Sequence, residues 1–284
     1  MPRTDEFVTV DGTELHYSAW GDADAPPVVC VHGLSRVGRD FDPLAERLED
    51  DYHLLCPDMP GRGLSEWAAE GEAEAVYTGA AMAELCATFC DELGLDELRW
   101  VGTSMGGTLG MALAAGPMRD RITHLVLNDV GPAPAADEEA QEGIERIIGY
   151  LSDPPTFRRL SGLEAFYCET YDTFSEMTDG EWRTFTVSSS RRVEDGRFAP
   201  AYDPRVVEPL LTEEPAMDPW EMWEAIEAHT FVLKGRHSDI LADDTFAEMQ
   251  ERRPEIDARE YDCGHAPALN VDEQVGPVRE FLAS

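Results

Sequence analysis

A chain of 284 residues, 43% of them hydrophobic, is long enough to bury a sizeable core and too apolar for wholesale disorder. Its 58 acidic residues against 22 basic ones give a net charge of −36, which excludes nucleic acid as a partner and disfavours an anionic membrane surface. No apolar run approaches a membrane span, and Met1 to Glu6 lack the basic-then-apolar pattern of a signal peptide, so a cytoplasmic protein is expected.

Near the start, Phe7–Val10 and Leu15–Trp20 flank Asp11-Gly12, a strong turn dipeptide, and predict an antiparallel hairpin. Val28–Val31 is a continuous apolar run, typical of a strand buried on both faces. A helix over 41–48, a strand over 53–56 and a long amphipathic helix over 77–93, stopped by Gly94, follow. Then come a strand at Leu98–Val101, a helix-forming run at Thr108–Ala115 and a strand at Ile122–Leu127. The alternation predicts an α/β, doubly wound, mostly parallel sheet.

The rhythm then breaks. From about Pro132 to Trp223 the chain reads as helical and aromatic, with Tyr150, Phe166, Tyr167, Tyr171, Phe174 and Phe185 among its rings. It returns with a strand at Thr230–Leu233, a helix over 245–252, a strand at Ile256–Tyr261 and a last helix over 271–282. Residues 1–131 and 224–284 are therefore expected to form the core, and 132–223 an inserted helical cap over the carboxyl edge of the sheet.

The chemistry is concentrated at Val101-Gly102-Thr103-Ser104-Met105-Gly106-Gly107, where a strand should turn sharply into a helix. Such a turn points the Ser104 hydroxyl out of the sheet edge, and Gly102 and Gly106 remove side chains that would collide across it. A serine nucleophile needs a base and a group to orient that base. Of seven histidines, His265 sits in a loop after a late strand, held between Gly264 and Pro267. Two acids follow strands in the right chain order, Asp239 and Asp129. Asp239 is preferred because it ends the strand just before the one leading to His265, and Asp129 is read as a supporting carboxylate that caps backbone N–H groups. The oxyanion donors are expected to be the backbone N–H groups of Met105 and of Leu34, beside Gly33, with His32 anchoring that loop.

Cys86 and Cys90 share a helix face, and none of the six cysteines has metal or disulfide-framework spacing, so small buried thiols and no metal are expected. Lys234 is the single lysine; a salt-rich cytoplasm and an acidic, GC-rich genome both account for that composition.

His32-Gly33, Asp58-Met59-Pro60-Gly61-Arg62-Gly63-Leu64-Ser65, Gly102 to Gly106, Gly235 to Asp239 and Gly264 to Pro267 together resemble the α/β-hydrolase superfamily, over essentially the whole chain. The resemblance implies the α/β-hydrolase fold and a cofactor-free serine hydrolase with Ser104, Asp239 and His265 as triad. It is similar to the branch of capped esterases, enol-lactonases and carbon–carbon hydrolases. The expected substrate is a small ester, lactone or related carbonyl compound, with no nucleic-acid or membrane partner and the oligomeric state open. A carbon–carbon hydrolase would need arginines for a substrate carboxylate, for which Arg158-Arg159 and Arg191-Arg192 are candidates, although exposed ion pairs are their plainer reading. A non-catalytic ligand-binding role predicts a missing triad member, and none is missing.

Overall fold

The computed structural model describes residues 3–132, 148–149, 151–173, 176–209 and 217–284; Tyr150 and Phe174 lie outside them. Strands β1 (Thr4–Val10) and β2 (Thr13–Trp20) form the expected hairpin. Asp11 and Gly12 both have positive φ, 50° and 88°, the backbone that a two-residue hairpin turn with right-handed twist requires.

Eight strands make one sheet. With β3 (Pro27–Val31), β4 (His53–Pro57), β5 (Leu98–Thr103), β6 (Ile122–Asn128), β9 (His229–Gly235) and β10 (Asp257–Tyr261), their order is β1-β2-β4-β3-β5-β6-β9-β10. β2 is antiparallel to both its neighbours and the other pairings are parallel. Helices α1 (Asp42–Leu48), α2 (Ala73–Val76), α3 (Gly79–Glu92) and α4 (Met105–Ala115) follow the early strands, and helices Asp243–Arg252 and Asp272–Leu282 the late ones.

The central strands are apolar throughout because both faces are covered. Trp100, Leu125 and Leu127 face a core shared with Phe89 of α3, Leu109 and Met111 of α4 and Met249. Their neighbours Val101 and Val126 point the other way, into a core with Leu44, Val278 and Phe281. Period-two side-chain alternation thus feeds two hydrophobic layers from one strand.

Between β6 and β9 the chain leaves the sheet. Helices Leu160–Thr170 and Asp179–Ser188 pack through Tyr167, Tyr171 and Phe185, and Thr178 with Glu181 forms a capping box on the second. This stretch is not wholly helical: β7 (Ser190–Arg192) and β8 (Phe198–Pro200) form a short hairpin. Its turn closes through Gly196, at φ 78°, a glycine after Glu194-Asp195 whose turn signal helical patterning obscured. The last helix of the stretch, Pro219–Ala225, places Trp223 in the main core, where its indole N–H donates to Met249 O at 3.2 Å. Among the described residues no helix is long and apolar enough to cross a membrane.

Candidate active site

Ser104 occupies the turn between β5 and α4 with φ 51° and ψ −116°. A non-glycine residue there is strained by roughly 1–3 kcal/mol and stays only where its surroundings fix it. Those surroundings are plain. Ser104 N donates to Asn128 O at 3.0 Å, and its own carbonyl accepts from Gly107 N and Thr108 N. A Cβ on Gly102 would strike the Gly106 carbonyl, and one on Gly106 would strike the Val31 carbonyl. The elbow therefore closes only with glycine at both positions, and it draws α4 against the end of β3.

The loop after β3 comes to the same place. A Cβ on Gly33 would lie 3.8 Å from Ser104 Cβ. His32 is fully buried; its Nε2 accepts from Met59 N at 3.0 Å, so Nδ1 carries the proton and donates to Gly33 O at 2.7 Å. Burial lowers its pKa to about 4, which keeps the ring neutral in this anchoring role. Met105 is the first residue of α4, where a backbone N–H has no partner within the helix. The N–H groups of Met105 and Leu34 donate to no other described residue.

His265 Nδ1 meets Asp129, the acid read as supporting where Asp239 was preferred, with Asp129 Oδ2 at 2.6 Å. Asp129 immediately follows β6, at φ 59°, and is fully buried; Asp239 lies four residues beyond the end of β9. The histidine loop reaches back across β9 toward β6, because Asn128 Nδ2 donates to Pro267 O at 2.9 Å and to Thr103 Oγ1 at 3.0 Å. One amide thereby ties the ends of β5 and β6 to the loop that carries His265. Asp129 does satisfy a backbone N–H as expected, but the donor is Gly235 at the end of β9, at 2.7 Å to Oδ1. Ser238 Oγ adds a bond to Oδ2 at 2.5 Å. A carboxylate with three donors and no exposure is fixed in place.

Sequence reasoning missed Asn128, Ser238 and Arg62. Asn128-Asp129 directly after a fully apolar strand was the available signal for the first, and Arg62 stood inside a quoted motif. The Asp58 loop that contains it is held by its own carboxylate, which accepts from Gly38 N at 2.7 Å, Leu64 N at 2.9 Å and His16 Nδ1 at 2.8 Å. Cys86 and Cys90 are buried on one face of α3, and among the described residues no group of three potential ligands gathers to hold a metal. A cavity of about 550 Å³ adjoins the site; Gly33, Thr103, Asn128 and Pro267 line one part of it, Arg36 and Phe185 another.

The model of an alpha/beta hydrolase family matches residues 28–276. The chain belongs to that family. The hydrolase is 36% identical, across 99% of its length and 98% of the relative's, to a 3-hydroxybutyrate-oligomer hydrolase of Cupriavidus necator. It also superposes on an alpha/beta hydrolase from Novosphingobium aromaticivorans with a TM-score of 0.87, at 33% identity over 99% of this chain and 98% of the other. An E-2-(acetamidomethylene)succinate hydrolase shares the fold at TM-score 0.83 and 18% identity, covering all of both chains.

Proposed function

We propose that this hydrolase cleaves carboxylic esters through an acyl-enzyme on Ser104, with His265 as base, Asp129 as its orienting acid, and the Leu34 and Met105 N–H groups as oxyanion donors. The observation that carries the reading is the hydrogen bond from His265 Nδ1 to the buried Asp129 carboxylate, beside a strained serine elbow. With Nδ1 held by a carboxylate, Nε2 is the nitrogen left to take the serine proton and return it to the leaving alcohol. Negative charge then builds on the carbonyl oxygen, where each well-aimed donor is worth about 3–4 kcal/mol. Water, activated by the same imidazole, releases the acid. The described parts of 132–223 are proposed to act as the cap over this site.

The relative from Cupriavidus necator acts, by its name, on 3-hydroxybutyrate oligomers. Short oligoesters of hydroxyalkanoic acids are accordingly the proposed substrates, ahead of lactones and of carbon–carbon cleavage. The latter needs an arginine for a substrate carboxylate, and Arg191 and Arg192 instead lie over the rings of Trp67 and Phe198, at 4.5 and 4.2 Å.

The test is hydrolysis of p-nitrophenyl butyrate and of 3-hydroxybutyrate dimer and trimer by four proteins. Ser104→Ala is expected to lower kcat by at least about 10⁴-fold and Asp129→Asn by about 10³–10⁴-fold. Asp239→Asn should stay within a few-fold of the unmodified enzyme. Equal losses in the two aspartate variants would defeat the assignment of Asp129, and a fully active Ser104→Ala would defeat the mechanism.

A further inference from the structure

Arg62 is fully buried, yet among the described residues it forms no ion pair in a chain with 58 acidic side chains. Its Nε donates to Leu34 O at 2.8 Å and its Nη1 to Pro60 O at 2.6 Å. Nη1 also lies 3.8 Å from Met82 Sδ, and Nη2 lies 3.7 Å from Met105 Sδ. The Tyr77 ring covers the guanidinium at 5.4 Å. The acid whose charge acts on it, Asp203, is occupied elsewhere, accepting from Tyr77 Oη at 2.8 Å and from Arg205 Nη2 at 2.6 Å. Burial lowers the pKa of Arg62 to about 10, only partly offset by Tyr77 and Asp203, so the group stays charged at neutral pH.

An uncompensated buried cation is expensive to keep. Its placement shows what the charge faces. Two of its donors run to Leu34 and Met105, the two residues whose backbone N–H groups are the proposed oxyanion donors. A negative charge appears between those groups only when the carbonyl becomes tetrahedral.

We propose that Arg62 is a positioning residue of the oxyanion hole: it holds the Leu34 carbonyl and the Met105 side chain from behind, and its cation is the counter-charge that the oxyanion meets. This rests on the acyl-enzyme reading given above. A fixed cation in a dry site favours the charged transition state while leaving the neutral ester almost unaffected. The signature is therefore a loss in kcat without a matching change in KM.

The experiment compares the unmodified enzyme, Arg62→Met, Arg62→Lys and Ser104→Ala with p-nitrophenyl butyrate, and measures inhibition by an alkyl trifluoromethyl ketone, whose serine adduct is a tetrahedral oxyanion. Arg62→Met, of similar volume and uncharged, is expected to lower kcat 10- to 100-fold, to move KM less than about threefold, and to weaken the ketone in parallel with kcat. Arg62→Lys keeps a charge but cannot reach Leu34 and Met105 together, and should fall between. If Arg62→Met does not fold, Arg62→Lys carries the test by the same split. Unchanged kcat and unchanged ketone inhibition in a folded variant would overturn the role of Arg62 while the mechanism stood. A Ser104→Ala protein that still turned over would overturn both.

Discussion

Two buried arginines flank the loop that carries Leu34, and the chain treats them in opposite ways. Arg36 is gripped by Asp40 through two bonds, Nε to Oδ2 at 2.7 Å and Nη2 to Oδ1 at 2.8 Å. It also donates to Ser189 Oγ at 2.7 Å and lies 3.6 Å from the centre of the Phe185 ring, with Tyr171 and Tyr167 at 5.2 and 5.6 Å. Burial pulls its pKa down, but the charge and hydrogen bonds of Asp40 more than reverse that, and Arg36 ends above the ordinary arginine value. Arg62 moves the other way, for want of a carboxylate. The neutralised guanidinium joins core to insertion, which is a structural task. The bare one stands behind the proposed oxyanion site. On the proposed mechanism, counter-ions are supplied where charge is permanent and withheld where it is transient.

Removing the counter-ion from Arg36 is the strongest way to break that contrast. Asp40→Asn would leave a buried cation with an amide in place of its partner, a change that costs about 3 kcal/mol in such settings. In a protein of this size that is a fall in Tm of roughly 6–12 °C. The folded enzyme should keep its kcat within a few-fold, so calorimetry and steady-state kinetics on one preparation decide the matter. A loss in kcat comparable to that expected of Arg62→Met, with Tm unmoved, would erase the distinction between the two arginines.

The second test uses the ring that joins the two loops. His32 bonds Gly33 O on one side and accepts from Met59 N on the other, and burial holds its pKa at about 4 against an ordinary 6.5. The unfolded chain therefore takes up this proton first as pH falls. The contribution of the neutral ring is whole above about pH 6.5 and is lost progressively down to about pH 4, by up to about 3 kcal/mol. Tm should decline over that window more steeply in the unmodified enzyme than in His32→Asn, which has no proton to gain there. Equal slopes would mean that the ring is not the element that couples the Leu34 loop to the Arg62 loop.

Much of this arrangement is legible in the sequence. The strands announced themselves because a sheet covered on both faces must be apolar at consecutive positions, as at Val28–Val31 and Leu125–Leu127. The elbow was legible because only glycine fits at 102 and 106. The acid was not. Both acids stand in the right order along the chain, and Asp239 was preferred for ending the strand before the one that leads to His265; which carboxylate meets His265 Nδ1 depends on how far its loop travels across the sheet, and Asn128 ties that loop to β6. The hairpin inside the insertion was hidden by surrounding helical pattern. Arg62 was visible only as a letter in a motif, since nothing in a sequence distinguishes a guanidinium with a carboxylate from one without.

The smallest expected effect separates the two things Arg62 is proposed to do. Its bond to Leu34 O fixes the loop, whereas its approach to the Met105 thioether at 3.7 Å is weak and long. Met105→Leu keeps the volume, the helix propensity and the backbone N–H, and removes only the sulfur. If the cation acts mainly through its charge and through Leu34, kcat for p-nitrophenyl butyrate should fall no more than about threefold, equivalent to well under 1 kcal/mol. Tm should move by no more than about 2–4 °C, the shift that 1 kcal/mol makes in a protein of this size. A tenfold fall with KM unchanged would instead make the sulfur contact the element that aims the Met105 N–H. The charge of Arg62 would then be secondary to its grip, and the counter-ion contrast with Arg36 would describe packing rather than catalysis.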